Sequence, residues 1–331
     1  MSVEVISYGN SSLKRPNPLA LPVRLPKVNI DHEFVKSVRF MTGKDSCVIA
    51  YGSYYNKERT ATSVADLLIV TKDVERFHKE NIKNGFIDYG FPATVSWHTA
   101  LNKSGPNYYQ GSLPLGEGRV PIIAGVIGLE EFQNHARGAQ KGVGTGHYYL
   151  AGRLQKPTTF ILCPPKDPAV WVLIDESFNV ARIDGFFGAL SKVGEVFWSN
   201  EIARPYVESS YLADTHWRPD HPKSHWKKVG IGTNGMKGKE TKTDRLLRSA
   251  ITDYGVMFAD LLEEFSRTGI IRPNMDGSYT KLFSLSEKDV DDWLKECSKY
   301  SLRTSMKNWL TSGFINGLGY AGAKAFRRYN T

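Results

Sequence analysis

The sequence predicts an α+β protein in two folded parts: a mixed sheet with flanking helices over residues 34–175, then a mainly helical domain over residues 176–300. Three observations carry that reading. The chain has 331 residues, more than one core usually organises. From about Phe34, apolar runs of strand length alternate with helix-period segments. After Asp175 the strand-like runs stop and a 3.6-residue period takes over. Residues 1–33, with their prolines, read as an extended lead-in, and residues 301–331 as a basic, apolar tail.

Taken in order, Phe34, Val35, Val38, Phe40 and Met41 fit a short helix or a strand lead-in. SCVIAYGS (46–53) is an apolar run broken at Gly52, a buried strand ending in a turn, and SVADLLIVTK (63–72) is a second strand. DVERFHKENIKN (73–84) is a helix, with Asp73 as N-cap and Gly85 as its stop. NKSGPNYYQGSLPLGEG (102–118) reads as loops. RVPIIAGVIG (119–128) is a strand and LEEFQNHA (129–136) a short helix. TGHYYLAGRLQKP (145–157) reads as a helix closed by Pro157, and TTFILC (158–163) as a strand. Helices are expected over 177–198, 244–267 and 287–300, with a loop at 214–244 that carries His216, His221 and His225.

The formal net charge of +9 favours phosphate-bearing partners: nucleotide, nucleic acid or an anionic membrane surface. Three cysteines, Cys47, Cys163 and Cys297, lack zinc-ligand spacing and predict neither structural zinc nor a disulfide framework. No run approaches the ~18 apolar residues of a spanning helix, and the first thirty residues lack a signal-peptide pattern.

Asp66 interrupts the apolar run around it. An ionised carboxylate there needs a cation, a hydrogen-bond network or an exposed strand end. A Gly-Ser turn after one strand, followed by an Asp on the next, is the arrangement of polymerase-β-type nucleotidyltransferases. Backbone N–H groups of Gly52 and Ser53 would hold a triphosphate while Asp66 ligates magnesium. An Asp capping a neighbouring loop explains the same pattern. The further acid two residues on is absent, since Leu68 stands there, and Asp88, Glu117, Asp167 and Asp175 have no spacing that selects one as a second ligand.

YYLAGRLQKP (148–157) closely resembles the LYLAGRLxKP signature of the mitochondrial translocator assembly and maintenance family, peripheral CDP-diacylglycerol synthases. AYGS (50–53), VADLLIV (64–70), FHKENIKNGFIDYG (77–90) and WLTSGFINGLGYAGAKAFRR (309–328) are similar to further family elements in the same order. The resemblance implies a polymerase-β-type fold and transfer of a cytidylyl group from CTP to phosphatidic acid, with Mg2+, at an anionic membrane surface. It implies a peripheral membrane protein, on the cytoplasmic face in a bacterium or the matrix side of the inner membrane in a mitochondrion. Nucleic acid is not expected as a partner. Asp66 would hold the metal; Gly52, Ser53, His78, Asn81 and Tyr149 would bind nucleotide; Arg153 and Lys156 would act with Asp66 in catalysis. His78 and Asn81, three apart, share a helix face on which they bind nucleotide or simply hold a loop. The chain departs from the pattern at Tyr54, Asp88, Gly90 and Ile123-Ala124, where the family carries Gly, His, Ser and a Lys-aromatic pair. A different nucleotide or acceptor, or a non-catalytic basic surface binding RNA or lipid, stays open on these residues alone.

Overall fold

The computed structural model describes residues 5–8, 11–14, 16–17, 20–21, 30–51, 53–55, 64–90, 92–103, 105–137, 160–203, 205–206 and 258–283. The expected helix over 145–157, the loop at 214–244, the helices at 244–257 and 287–300 and the tail at 301–331 lie outside the described residues. The chain divides into two compact units, one of Lys27–His135, Thr158–Leu173 and Leu302–Thr331, the other of Met1–Pro26, Ala136–Pro157 and Ile174–Ser301.

The lead-in carries a hairpin, β1 (Val5–Tyr8) antiparallel to β2 (Ser11–Lys14). The sheet unit then opens with helix α1 (His32–Thr42), capped by the Asp31 carboxylate accepting from the Glu33 N–H. Its buried residues, Phe34, Val38 and Met41, recur at helical spacing. Next come β3 (Cys47–Tyr51), a 3-10 turn (Ser53–Tyr55), β4 (Ala65–Thr71) and α2 (Val74–Asn84). As expected, Asp73 caps α2, accepting from the Arg76 N–H, and Gly85 ends it with φ 67°.

β5 (Ile87–Asp88), α3 (Val95–Asn102), β6 (Asn107–Leu115), β7 (Gly118–Gly128), α4 (Leu129–Arg137) and β8 (Phe160–Cys163) complete the sheet unit, with the first turns of α5 (Pro168–Leu190). The sheet has the order β5-β6-β7-β4-β3-β8 and is mixed, because only β4 and β7 run parallel. β4 lies inside it, and from Leu67 to Val70 it reads as an apolar run because both faces are covered there. The α+β class and the mixed sheet with flanking helices are therefore present.

Two expectations are corrected. Residues 107–115 form β6, not loops: Asn, Gly and Pro make the segment look like a turn, yet it pairs along its length with β7 through a tight hairpin at Gly116-Glu117. Gly111 is required there. A Cβ on it would stand 2.2 Å from the Phe86 carbonyl oxygen. Gly111→Ala is expected to destabilise the sheet unit by about 1–3 kcal/mol in urea unfolding. The helix expected over 177–198 instead runs from Pro168 to Leu190, and Val196–Phe197 is a short strand.

In the second unit that strand, β9 (Val196–Phe197), joins β10 (Ile271–Pro273) and β11 (Tyr279–Lys281) in a small antiparallel sheet of order β10-β11-β9. The described part is thus helical with a small sheet. Its core gathers Phe186, Phe197, Tyr206, Phe258 and Phe265, with the Phe186 and Phe265 rings 4.7 Å apart.

Candidate functional site

Strand parity sorts the sheet unit into two faces. Ala65, Leu67 and Ile69 join Val48, Ala50, Ile122, Ala124, Val126 and Tyr109 in one core with Phe34, Val38 and Met41 of α1 and Phe77 of α2. Asp66, Leu68 and Val70 face the other way. Asp66 is the half-buried position in a strand whose six other residues are buried. The sequence puzzle is answered in part by placement: the carboxylate stands one residue inside the strand entrance, where solvent reaches it.

The register puts Tyr51, Asp66, Ile123, Gln110 and Asp88 in one row across β3, β4, β7, β6 and β5, all on the Asp66 face. Asp66, Ile123 and Gln110 are half-buried and Asp88 is exposed, so this end of that face is open and polar. Farther along the same face, Ile49, Leu68, Gly125 and Ile127 are buried. Asp66 and Asp88 are three strands apart, about 14 Å at ordinary strand spacing, too far to share one cation. The turn Ser53–Tyr55 leaves β3 right after the residue paired with Asp66 and packs against β4. Ser53 is therefore brought to the Asp66 end of the sheet.

The other acids lie elsewhere. Glu117 sits in the β6–β7 turn. Asp167 pairs with Lys72 at 2.5 Å, beyond the opposite end of β4, and that ammonium holds its carboxyl below the usual range. Asp175 belongs to the other unit, and burial raises its carboxyl. Among the described residues no group of three or more His, Cys, Asp or Glu side chains is placed to hold a metal ion.

His78 and Asn81 are buried on the face opposite Asp66. His78 contacts the Tyr89 hydroxyl through Nδ1 at 2.9 Å and the Asn102 carbonyl oxygen through Nε2 at 2.8 Å. Asn102 in turn donates to the backbone oxygen of Val126, aligned with Ile69 and so about 10 Å along the sheet from Asp66. Asn81 donates to the Met41 and Phe77 carbonyls, tying α2 to α1. His98 joins through the Tyr109 hydroxyl at 3.3 Å, and the four rings of His78, Tyr89, His98 and Tyr109 lie within 5.6 Å centroid to centroid. The sequence pair three residues apart does share a helix face. That face meets the core.

Burial lowers both His78 and His98 to about 4. A folded pKa below the ordinary 6.5 means the unfolded chain takes up protons first as pH falls. Stability is therefore full above pH 6.5 and is lost toward pH 4, at up to about 1.4 kcal/mol per pH unit for each ring. Urea midpoints measured from pH 7 to 4.5 should fall steadily; a flat series would contradict the neutral pair.

Gly52, Tyr149, Arg153 and Lys156 lie outside the described residues. Sequence reasoning named Asp88 among the candidate acids but did not place it in one row with Asp66, and it missed Gln110 in that row. Only strand pairing reveals that row.

No family model matches the chain. A Drosophila melanogaster protein named "Phosphatidate cytidylyltransferase, mitochondrial" is 27% identical over 202 residues, covering 53% of this chain and 54% of that protein. The chain thus spans about half the length of the curated relative it matches. It is distantly similar to a phosphatidate cytidylyltransferase.

Proposed function

We propose that this chain transfers a cytidylyl group from CTP to phosphatidic acid, giving CDP-diacylglycerol and pyrophosphate, on a polymerase-β-type nucleotidyltransferase domain. The observation that carries the reading is Asp66, a half-buried carboxylate at the entrance of an otherwise buried strand, beside the turn that begins after Tyr51. The distant relative's name supports the choice of nucleotide and acceptor.

A single carboxylate fits magnesium, which takes oxygen ligands and commonly uses one or two carboxylates with substrate phosphates and water. Held by Asp66, Mg2+ would neutralise phosphate charge during transfer. The turn at Gly52-Ser53 would receive the triphosphate on backbone N–H groups. An oxygen of the lipid phosphate attacks the α-phosphorus of CTP while the bond to the bridging oxygen breaks and pyrophosphate departs. That phosphate is already ionised near pH 7, so no strong general base is needed. Arg153 and Lys156 would offset charge on the leaving group, and Tyr149 would wall the nucleotide pocket. In this reading His78 and Asn81 support the sheet from its far side.

No helix among the described residues is long and apolar enough to cross a membrane. The tail at 301–331, with Arg303, Lys307, Lys324, Arg327 and Arg328 among apolar residues, would rest on an anionic surface. Labelled CTP with phosphatidic acid vesicles and Mg2+ tests the proposal: CDP-lipid is the expected product, and none from wild type would end the reading. Thermal stabilisation by each of the four nucleoside triphosphates checks the donor, with CTP expected to act at the lowest concentration.

A further inference from the structure

Among the described residues, the six strands of the large sheet carry a single Lys or Arg, Arg119 of β7. Register fixes its side. Arg119 shares the parity of Pro121 and Ile123, and Ile123 is aligned with Asp66, so all three stand on the Asp66 face. Two hydrogen bonds agree: Arg119 Nε donates to Ser112 Oγ at 2.8 Å, and Nη2 donates to the Ser112 backbone oxygen at 2.9 Å. Ser112 is paired with Pro121, one position nearer the Asp66 row on that face than Arg119 itself. The side chain therefore leans back toward Asp66. Ser112 lies two strands across and two residues along from Asp66, about 12 Å away at ordinary sheet spacings.

The exposed guanidinium is held in place, and half of it stays available. Ser112 takes the edge formed by Nε and Nη2. The other edge, one N–H each from Nη1 and Nη2, is a fork that fits two oxygens of one oxyanion. No carboxylate among the described residues lies within ion-pair distance of Arg119. Nor does the hairpin need a charged staple, since β6 and β7 are paired from Asn107 to Leu115. The row at Asp66 holds two carboxylates and no cation. A triphosphate and a lipid phosphate meeting there bring several negative charges, and those beyond the reach of a metal ion fall to a cation of the protein.

We propose that Arg119 is a phosphate-binding residue of the same site, its open fork taking two non-bridging oxygens of a substrate phosphate while Ser112 holds the guanidinium in position. This rests on the cytidylyltransferase reading. CTP and phosphatidic acid present the same oxyanion chemistry to the fork, and the two arms of the test tell them apart.

Arg119→Gln removes the charge and the fork from an exposed position, so the melting temperature should stay within a few degrees of wild type. KM for one substrate should rise about tenfold or more, with kcat falling less. A rise in KM for CTP, matched by the CTP concentration that gives half-maximal thermal stabilisation with Mg2+, assigns the fork to the triphosphate. A rise in KM for phosphatidic acid in vesicles, with the CTP response unchanged, assigns it to the lipid phosphate. Arg119→Lys, which keeps the charge but not the fork, should recover only part of the loss. Both KM values within about twofold of wild type would overturn the inference. So would a variant that merely melts lower, because Arg119 would then be a staple of the hairpin. Wild type that forms no CDP-lipid ends the cytidylyltransferase reading by itself. Arg119 must then still be required for binding Mg2+-CTP or phosphatidic acid vesicles, measured without turnover, or the inference falls as well.

Discussion

Asp66→Asn is expected to cut cytidylyl transfer by about a thousandfold or more while leaving the melting temperature within a few degrees of wild type. The substitution is nearly isosteric: it removes the charge and exchanges one acceptor oxygen for an NH2 donor. Asp66 is half-buried at a strand entrance, so the amide opens no cavity and reaches solvent for its hydrogen bonds. The loss should appear in labelled CDP-lipid formation on phosphatidic acid vesicles, with correct folding confirmed by the melting curve. Near-normal turnover in the variant would refute a metal role for Asp66 and remove the main support for the proposed activity. Adding excess EDTA to wild type should give a loss of similar size.

Phe34→Ala should have the largest effect on stability, about 3–5 kcal/mol. Phe34 is 1% exposed, anchors α1 on the inner face of the sheet, and lies 5.6 Å from the Tyr54 ring and 6.4 Å from that of Tyr55. Truncation leaves a cavity under the turn that follows β3. The melting temperature should drop by about 10 °C for a unit of this size, and KM for CTP should rise because the turn loses its backing. Phe34→Leu, which restores most of the volume, should recover over half of both losses. A Phe34→Ala protein as stable as wild type would contradict the packing described.

Much of the sheet unit was legible because its inner strands carry their signal locally. Cys47–Tyr51, and Leu67–Val70 of β4, are apolar on both faces, and Asp73 and Gly85 mark the ends of α2 by their own chemistry. β6 was not legible, because its Gly111 answers to the Phe86 carbonyl, a neighbour in space and not in sequence. α3 was missed since VSWHTALN shows no clear apolar period; its buried positions are His98 and Asn102, polar residues enclosed by the ring cluster. At the candidate site, Asp66 stood out as one charge in an apolar run. His78 and Asn81 stood out equally, and spacing alone could not show that their helix face meets the core opposite Asp66.

The six-stranded sheet divides labour between its sides. On one, interlocked rings and amides tie α2, α3 and β7 together, and a change to any member disturbs several others. On the other, Asp66, Gln110 and Asp88 stand in a row with few obligations to the core. Gln110 and Asp88 can be exchanged there without unsettling the scaffold, so this edge of the sheet can vary while the far side goes on specifying the same fold.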